Sequence, residues 1–147
     1  MQTSILAFIG SFCAGILFNV KSFKLFFAGL SGLSGWLVYL LILYLSNHTI
    51  IAIFAGAIAV GIFSETAARV LKTPSTIFSI PGIFPLVPGI AAYESIRLLS
   101  SNDLYSAGGK LVETLAGAGA IAFGILLVTA MFRFFAKPKP GIGLHQK

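Results

Sequence analysis

The sequence predicts an all-α integral membrane protein of about five transmembrane helices, the fourth broken by Pro and Gly. Three observations carry that expectation. The first is composition: the 147 residues are 57% hydrophobic and 10% charged, with a mean hydropathy of +0.98, whereas soluble domains carry about 25% charged residues. The second is length. Each span needs about 20 apolar residues to cross about 30 Å of hydrocarbon, which leaves room for four or five spans and none for a separate soluble domain. The third is the run TPSTIFSIPGIFPLVPGIAAYESIRLL, where Pro81, Pro85 and Pro88 stand among Gly82 and Gly89 in apolar surroundings. Proline removes a backbone donor and clashes with the preceding turn, so no regular helix passes through this run. At membrane depth such backbone survives where neighbouring helices or a water-filled cavity supply its hydrogen bonds, the arrangement by which transporters build substrate sites from half-helices.

The elements follow in order. A first apolar run, about Thr3 to Val20, has the length of a signal peptide but lacks a basic leading region and an evident small-residue cleavage site, so it reads as a retained helix. Lys21 and Lys24 follow it, then a second run to about Leu45, a polar turn Ser46-Asn47-His48-Thr49, and a third run to about Val70. The broken segment covers about Thr76 to Ser100. Ser101-Asn102-Asp103 makes a polar turn, and a last long helix ends at Arg133. Residues 1–136 thus form a single transmembrane helical domain, and 137–147, the basic KPKPGIGLHQK, are expected to be a disordered cytoplasmic tail. Small residues recur at helical spacing in the last helix, at Ala116, Ala120 and Gly124, where helix packing is expected. The same device at Gly29, Gly32 and Gly35 competes with the plain abundance of glycine in membrane helices.

The net charge of +6 and pI near 9.8 do not imply nucleic acid, because the cations sit at segment ends rather than in a patch with interleaved aromatics. They read as topology charges. Lys21 with Lys24, Arg69 with Lys72, and Arg133 with Lys137 and Lys139 form basic clusters, while the turns at Asn47 and Asp103 hold no Lys or Arg. If the broken segment crosses, every cluster falls on the cytoplasmic side, with the N-terminus outside and the C-terminus inside. A re-entrant segment would instead leave the basic tail outside. Charge bias favours crossing. Lys72 and Asp103 flank the segment, and the midpoint between them puts Pro88-Gly89 near the midplane if its arms are equal.

Few ionisable groups fall within the apolar spans. Counting from that midplane, Glu94 lies about 10 Å out and Arg97 about 14 Å out, close enough in sequence to pair on one helix face. Such a pair is either a structural anchor or part of a functional site. Glu65 precedes Arg69 by one turn and reads as a local pair or a proton-coupling acid. A half-helix starting after Pro88-Gly89 would turn free amides and its positive dipole end toward the break, where a carboxylate fits, unless water or a neighbouring side chain takes them. Ser79, Thr76 and Tyr93 add hydroxyls nearby. The only cysteine, Cys13, is expected to pack as a small hydrophobe. His48 stands alone, without metal-ligand spacing, and no catalytic set, phosphate loop or CxxC is visible. No metal, cofactor or enzymatic activity is expected.

The segment IPGIFPLVPGIAAYESI, with Pro85, Pro88, Gly89 and Tyr93, resembles the proline-glycine signature in the C-terminal membrane domain of the threonine/serine exporter family. Length, five-span pattern and basic loops also resemble the small subunit of that family's split, two-protein form. The resemblance implies a bacterial inner-membrane protein working with a larger transmembrane partner, on amino acids such as threonine and serine or on dicarboxylates such as succinate. It implies a path through the break at Pro81, Gly82, Pro85, Pro88, Gly89 and Tyr93. A second copy of the chain is a further candidate partner. The competing reading is a structural or assembly module that never touches substrate.

Overall fold

The computed structural model describes residues 2–21 and 23–135, so the tail expected from Lys137 lies outside the described residues. These residues form helices joined by short turns, with no strand among them. Helix α1 spans Gln2–Leu17, α2 Phe23–Ser46 and α3 Thr49–Val70; α4 spans Thr76–Gly82, followed by a 3₁₀ turn at Phe84–Leu86, α5 at Gly89–Ser100 and α6 at Leu104–Phe135. Of these, α2, α3 and α6 are long and apolar enough to cross a membrane, and the broken pair Thr76–Leu86 and Gly89–Ser100 adds a fourth if it is one span. The first helix is shorter than its apolar run, at 16 residues.

The helix ends have a common cause. Asn19, Asn47 and Asn102 take positive φ values of 56°, 54° and 64° just past α1, α2 and α5, and asparagine tolerates this left-handed conformation better than most side chains. The chain then turns so that orphan carbonyls are met: the amides of Asn19 and Val20 return to Ile16 and Gly15 at 2.9 Å, and that of Asp103 to Leu98 at 3.0 Å. Lys72, with φ 49°, does the same for α3 without asparagine's advantage.

Glycine sets the distances between the long helices. A Cβ on Gly29 would lie 2.7 Å from the Phe8 ring, and one on Gly56 would lie 2.9 Å from the Gly35 carbonyl. In lipid there is little hydrophobic drive for helices to associate, so dispersion contacts at close approach must supply it. Glycine in α2 is therefore a packing device, not a mere compositional habit. The stripe on α6 finds its neighbour in α3: a Cβ on Gly124 would meet Ala57 Cβ at 3.0 Å and the Phe54 carbonyl at 3.2 Å. Ala120 rests on a cluster of Ile53, Ala57, Val60, Leu86 and Ile121. Cys13 departs from expectation, lying exposed on the outer face of α1.

The broken segment divides its loyalties. Helix α4 packs on α1, α2 and α3, whereas α5 packs on α6, and the two arms differ in direction by 53°. Pro81 and Gly82 are buried where α4 crosses α2 and α3; there Gly82 touches Ser31 and Val60, and Ser31 Oγ meets Ser64 Oγ at 3.1 Å. Val60 is at the middle of α3. Pro88 instead lies beside Gly117 and Ile53, since a Cβ on Gly117 would be 3.1 Å from Pro88 Cγ and 3.4 Å from Ile53 Cδ1. Ile53 is about 10 Å along α3 from Val60. Gly82, rather than Pro88-Gly89, is therefore level with the middle of α3. The two arms, Thr76–Leu86 and Gly89–Ser100, are of similar length, but the second is displaced along the bundle, so that α5 and the first turns of α6 extend past the α2–α3 turn.

Candidate functional site

Where the two arms part, a cavity of about 420 Å³ opens between α2, α3, α5 and α6. Pro85, Pro88, Gly89 and the first turn of α5 line one side, and Trp36, Tyr39 and Thr49 line another. The proline break makes this space: Pro88 cannot donate, and the Gly89 amide bonds back to Val87 O at 2.7 Å. The chain is thereby turned away from α2. The first bond of the α5 ladder is Ala92 N to Pro88 O at 3.1 Å, so the amides of Ile90 and Ala91 make no backbone bond among the described residues. They are the orphan donors of a helix start, at its positive end. Trp36 stacks with Tyr39, ring centroids 5.0 Å apart, and its buried Nε1 finds no hydrogen-bond acceptor among the described residues. A buried donor without an acceptor is costly.

The remaining wall is charged. Lys110 Nζ lies 3.2 Å from Glu94 Oε2 and 3.0 Å from Glu113 Oε2, and all three residues line the cavity. Their side chains are between a third and a half exposed, and with two carboxylates to one ammonium the cluster carries one net negative charge. Glu113 also borders Asn47, His48 and Thr49, which places the cluster level with the α2–α3 turn.

Two expected pairs are not made. Glu94 takes Lys110 of α6 as its partner rather than Arg97 on its own helix, because the α5–α6 hairpin brings Lys110 closer. It consequently lies near the end of the bundle, not about 10 Å from its centre. Arg97 is exposed and forms no ion pair among the described residues. Glu65 accepts a hydrogen bond from Ser75 Oγ at 2.9 Å, while Arg69 donates to the Phe132 carbonyl at 2.9 Å and stacks over its ring at 4.8 Å. Glu65 is thus remote from the cavity, tying the start of α4 to α3. Of the expected path residues, Pro85, Pro88 and Gly89 line the cavity; Pro81 and Gly82 are in the packed core, and Tyr93, 67% exposed, faces outward. Trp36, Tyr39 and Thr49 are lining residues that the sequence did not single out. The one available signal was that the only tryptophan and a tyrosine stand three residues apart on one helix face.

The fold and site together define a multi-pass helical membrane protein with a broken helix beside a largely apolar cavity that has one charged wall. Residues 3–131 match the family model described as Threonine/Serine exporter, ThrE. The chain belongs to the threonine/serine exporter family, a family of transport proteins rather than enzymes, and it is a multi-pass inner-membrane protein. It is 31% identical over 112 residues to the "Threonine/serine exporter" of Corynebacterium glutamicum, covering 76% of this chain and 22% of that protein. It is 26% identical over 128 residues to the "Probable threonine/serine exporter" of Mycobacterium tuberculosis (strain ATCC 25618 / H37Rv), covering 84% of this chain and 24% of that protein. The chain therefore spans between a fifth and a quarter of the length of these curated relatives. No solved structure matches it.

Proposed function

We propose that this chain is the small membrane subunit of an amino-acid exporter and that the cavity beside Pro88 is part of its substrate path. A larger transmembrane partner supplies the remainder. The observation that carries this reading is the meeting, in one cavity, of the free amides of Ile90 and Ala91 with the Glu94–Lys110–Glu113 cluster. An α-carboxylate suits the amide end of α5, and an α-ammonium suits the carboxylates of Glu94 and Glu113. A dicarboxylate such as succinate fits less well, because the cluster's excess charge is negative and would repel the second carboxylate. The names of the relatives support the same choice.

In this reading the chain crosses five times, with α1 as a short span and the α4–α5 pair as one broken span, N-terminus outside and C-terminus inside. That arrangement agrees with positive-inside counting. The test is co-reconstitution of this chain and its partner in liposomes loaded with labelled threonine, serine or succinate. Efflux of the amino acids should require both proteins and exceed that of succinate. Failure of the pair to move either class would refute the reading, and full efflux by the partner alone would favour the structural-module alternative.

A further inference from the structure

A second cavity, of about 460 Å³, lies at the opposite end of the bundle from the acid–lysine cluster, between the α1–α2 turn and the start of the broken helix. Phe18, Asn19, Val20, Lys21, Lys24 and Ile77 line it. The left-handed turn at Asn19 brings it about, by ending α1 abruptly and sending the chain sideways before α2 begins. Neither lysine forms an ion pair among the described residues. Arg69, Lys72 and Arg133 belong to the same end of the bundle, as the bond from Arg69 to the Phe132 carbonyl shows. The acid there, Glu65, is held by Ser75 at 2.9 Å. Positive charge is thus in excess around a cavity that contains two of its sources.

The walls in and just beside the cavity are strongly apolar. Leu17, Phe18 and Phe23 are 81%, 52% and 68% exposed. A soluble anion has no use for such walls, but an amphiphile does. We infer that this cleft binds the phosphate headgroup of an anionic phospholipid, with Lys21 and Lys24 as its cationic contacts and Leu17, Phe18 and Phe23 beside its acyl chains. Basic pockets between membrane helices at the headgroup level are the usual seats of such lipids. Because Ile77 belongs to α4, a lipid seated there would join the α1–α2 turn to the first arm of the broken helix.

The test uses the full 147-residue chain in neutral detergent, with native mass spectrometry counting retained phosphatidylglycerol against phosphatidylcholine of matched acyl chains. Phosphatidylglycerol should be retained selectively. At about fivefold per lysine, Lys21→Gln with Lys24→Gln should weaken that retention by roughly 25-fold. Lys72→Gln with Arg133→Gln removes equal charge from the same end without touching the cleft and should change retention less than about twofold. Lys21→Arg with Lys24→Arg should preserve it. Equal retention of both lipids, or equal losses in the two charge-removing double variants, would overturn the proposal, since either outcome means a diffuse field and no site. Inorganic phosphate raising the melting temperature as much as phosphatidylglycerol would overturn the lipid assignment in favour of a soluble phosphate. Should the Gln double variant misfold, each single Gln variant must still show its fivefold loss.

Discussion

Lys110 of α6 reaches across to Glu94 of α5, Nζ to Oε2 at 3.2 Å, and so closes the charged wall of the cavity that the proline break opens. The pair is partly exposed, and exposed pairs contribute little to stability. Its value is positional: it fixes a carboxylate in the wall of the cavity that Ile90 and Ala91 also line. Glu94→Gln is therefore expected to reduce export at least tenfold while leaving the melting temperature of the protein nearly unchanged. Glu65→Gln, remote from the cavity, should reduce it less. Flux measured for both variants in proteoliposomes checks this, and unimpaired export by Glu94→Gln would refute the assigned role.

Accessibility of the path should follow the cavity and not the whole proline run. In a Cys13→Ala background, cysteines at Gly89 and Ile90, which line the cavity and are exposed, are expected to react with water-soluble maleimide and to be protected by substrate. A cysteine at Gly82, pressed against Ser31 and Val60, should stay inert or abolish folding. Labelling at Gly82 as fast as at Gly89 would place the path elsewhere.

The close approach of α2 to α3 predicts a steric cost at Gly35. A Cβ there would meet Val60 and lie 3.2 Å from the Gly56 carbonyl, and backbone has little freedom to retreat. Gly35→Ala should destabilise the protein by about 1–3 kcal/mol, the usual range for overpacking. Gly119→Ala, with nothing within 4 Å, should be neutral or stabilise by up to about 1 kcal/mol, from helix propensity alone. Thermal melts in one detergent compare the two.

The buried hydroxyl pair Ser31–Ser64 predicts non-additivity. Ser31→Ala leaves the Ser64 hydroxyl buried without that partner, at a cost of about 1–3 kcal/mol, whereas removing both hydroxyls can be nearly neutral. A double-mutant cycle read by thermal melts should give Ser31→Ala/Ser64→Ala a higher stability than the sum of the single losses.

The start of α6 carries a pH dependence. Asp103 Oδ1 accepts the Ser106 amide at 3.2 Å, as an N-cap, and hydrogen bonds from the Ser106 side chain and backbone hold its carboxyl below the ordinary value of 3.8. A depressed carboxylate contributes stability that is complete above its unfolded pKa and is lost as pH falls through the folded one. Between pH 7 and 5 the Asp103→Asn variant should therefore differ from the parent by a constant amount, and the difference should shrink below about pH 4. A constant difference down to pH 2 would contradict the cap's charge dependence.

How far the sequence reached differs by feature. Membrane residence, helicity and the turns at Asn47 and Asn102 were legible, because each follows from local chemistry: the apolar runs are too long for a soluble core, and polar residues at the turns interrupt them. The bounds of the broken segment were legible for the same reason, since proline acts on its own turn. What the sequence did not contain was the partner of Glu94. Glu94 is three residues from Arg97 and sixteen from Lys110, and only the α5–α6 hairpin makes the distant cation the nearer one. Depth followed the same logic: residue counting assumed that the two arms straddle the middle of the bundle, whereas packing buries Gly82 at the middle of α3 and leaves Pro88 toward one end. The sequence by itself determined that the chain is a helical membrane protein interrupted at Pro81 to Gly89. The tertiary structure alone decided that the interruption becomes a cavity, because a cavity needs the Trp36–Tyr39 wall of α2 to meet the Lys110–Glu113 wall of α6, and that meeting arises from helix packing and not from spacing along the chain.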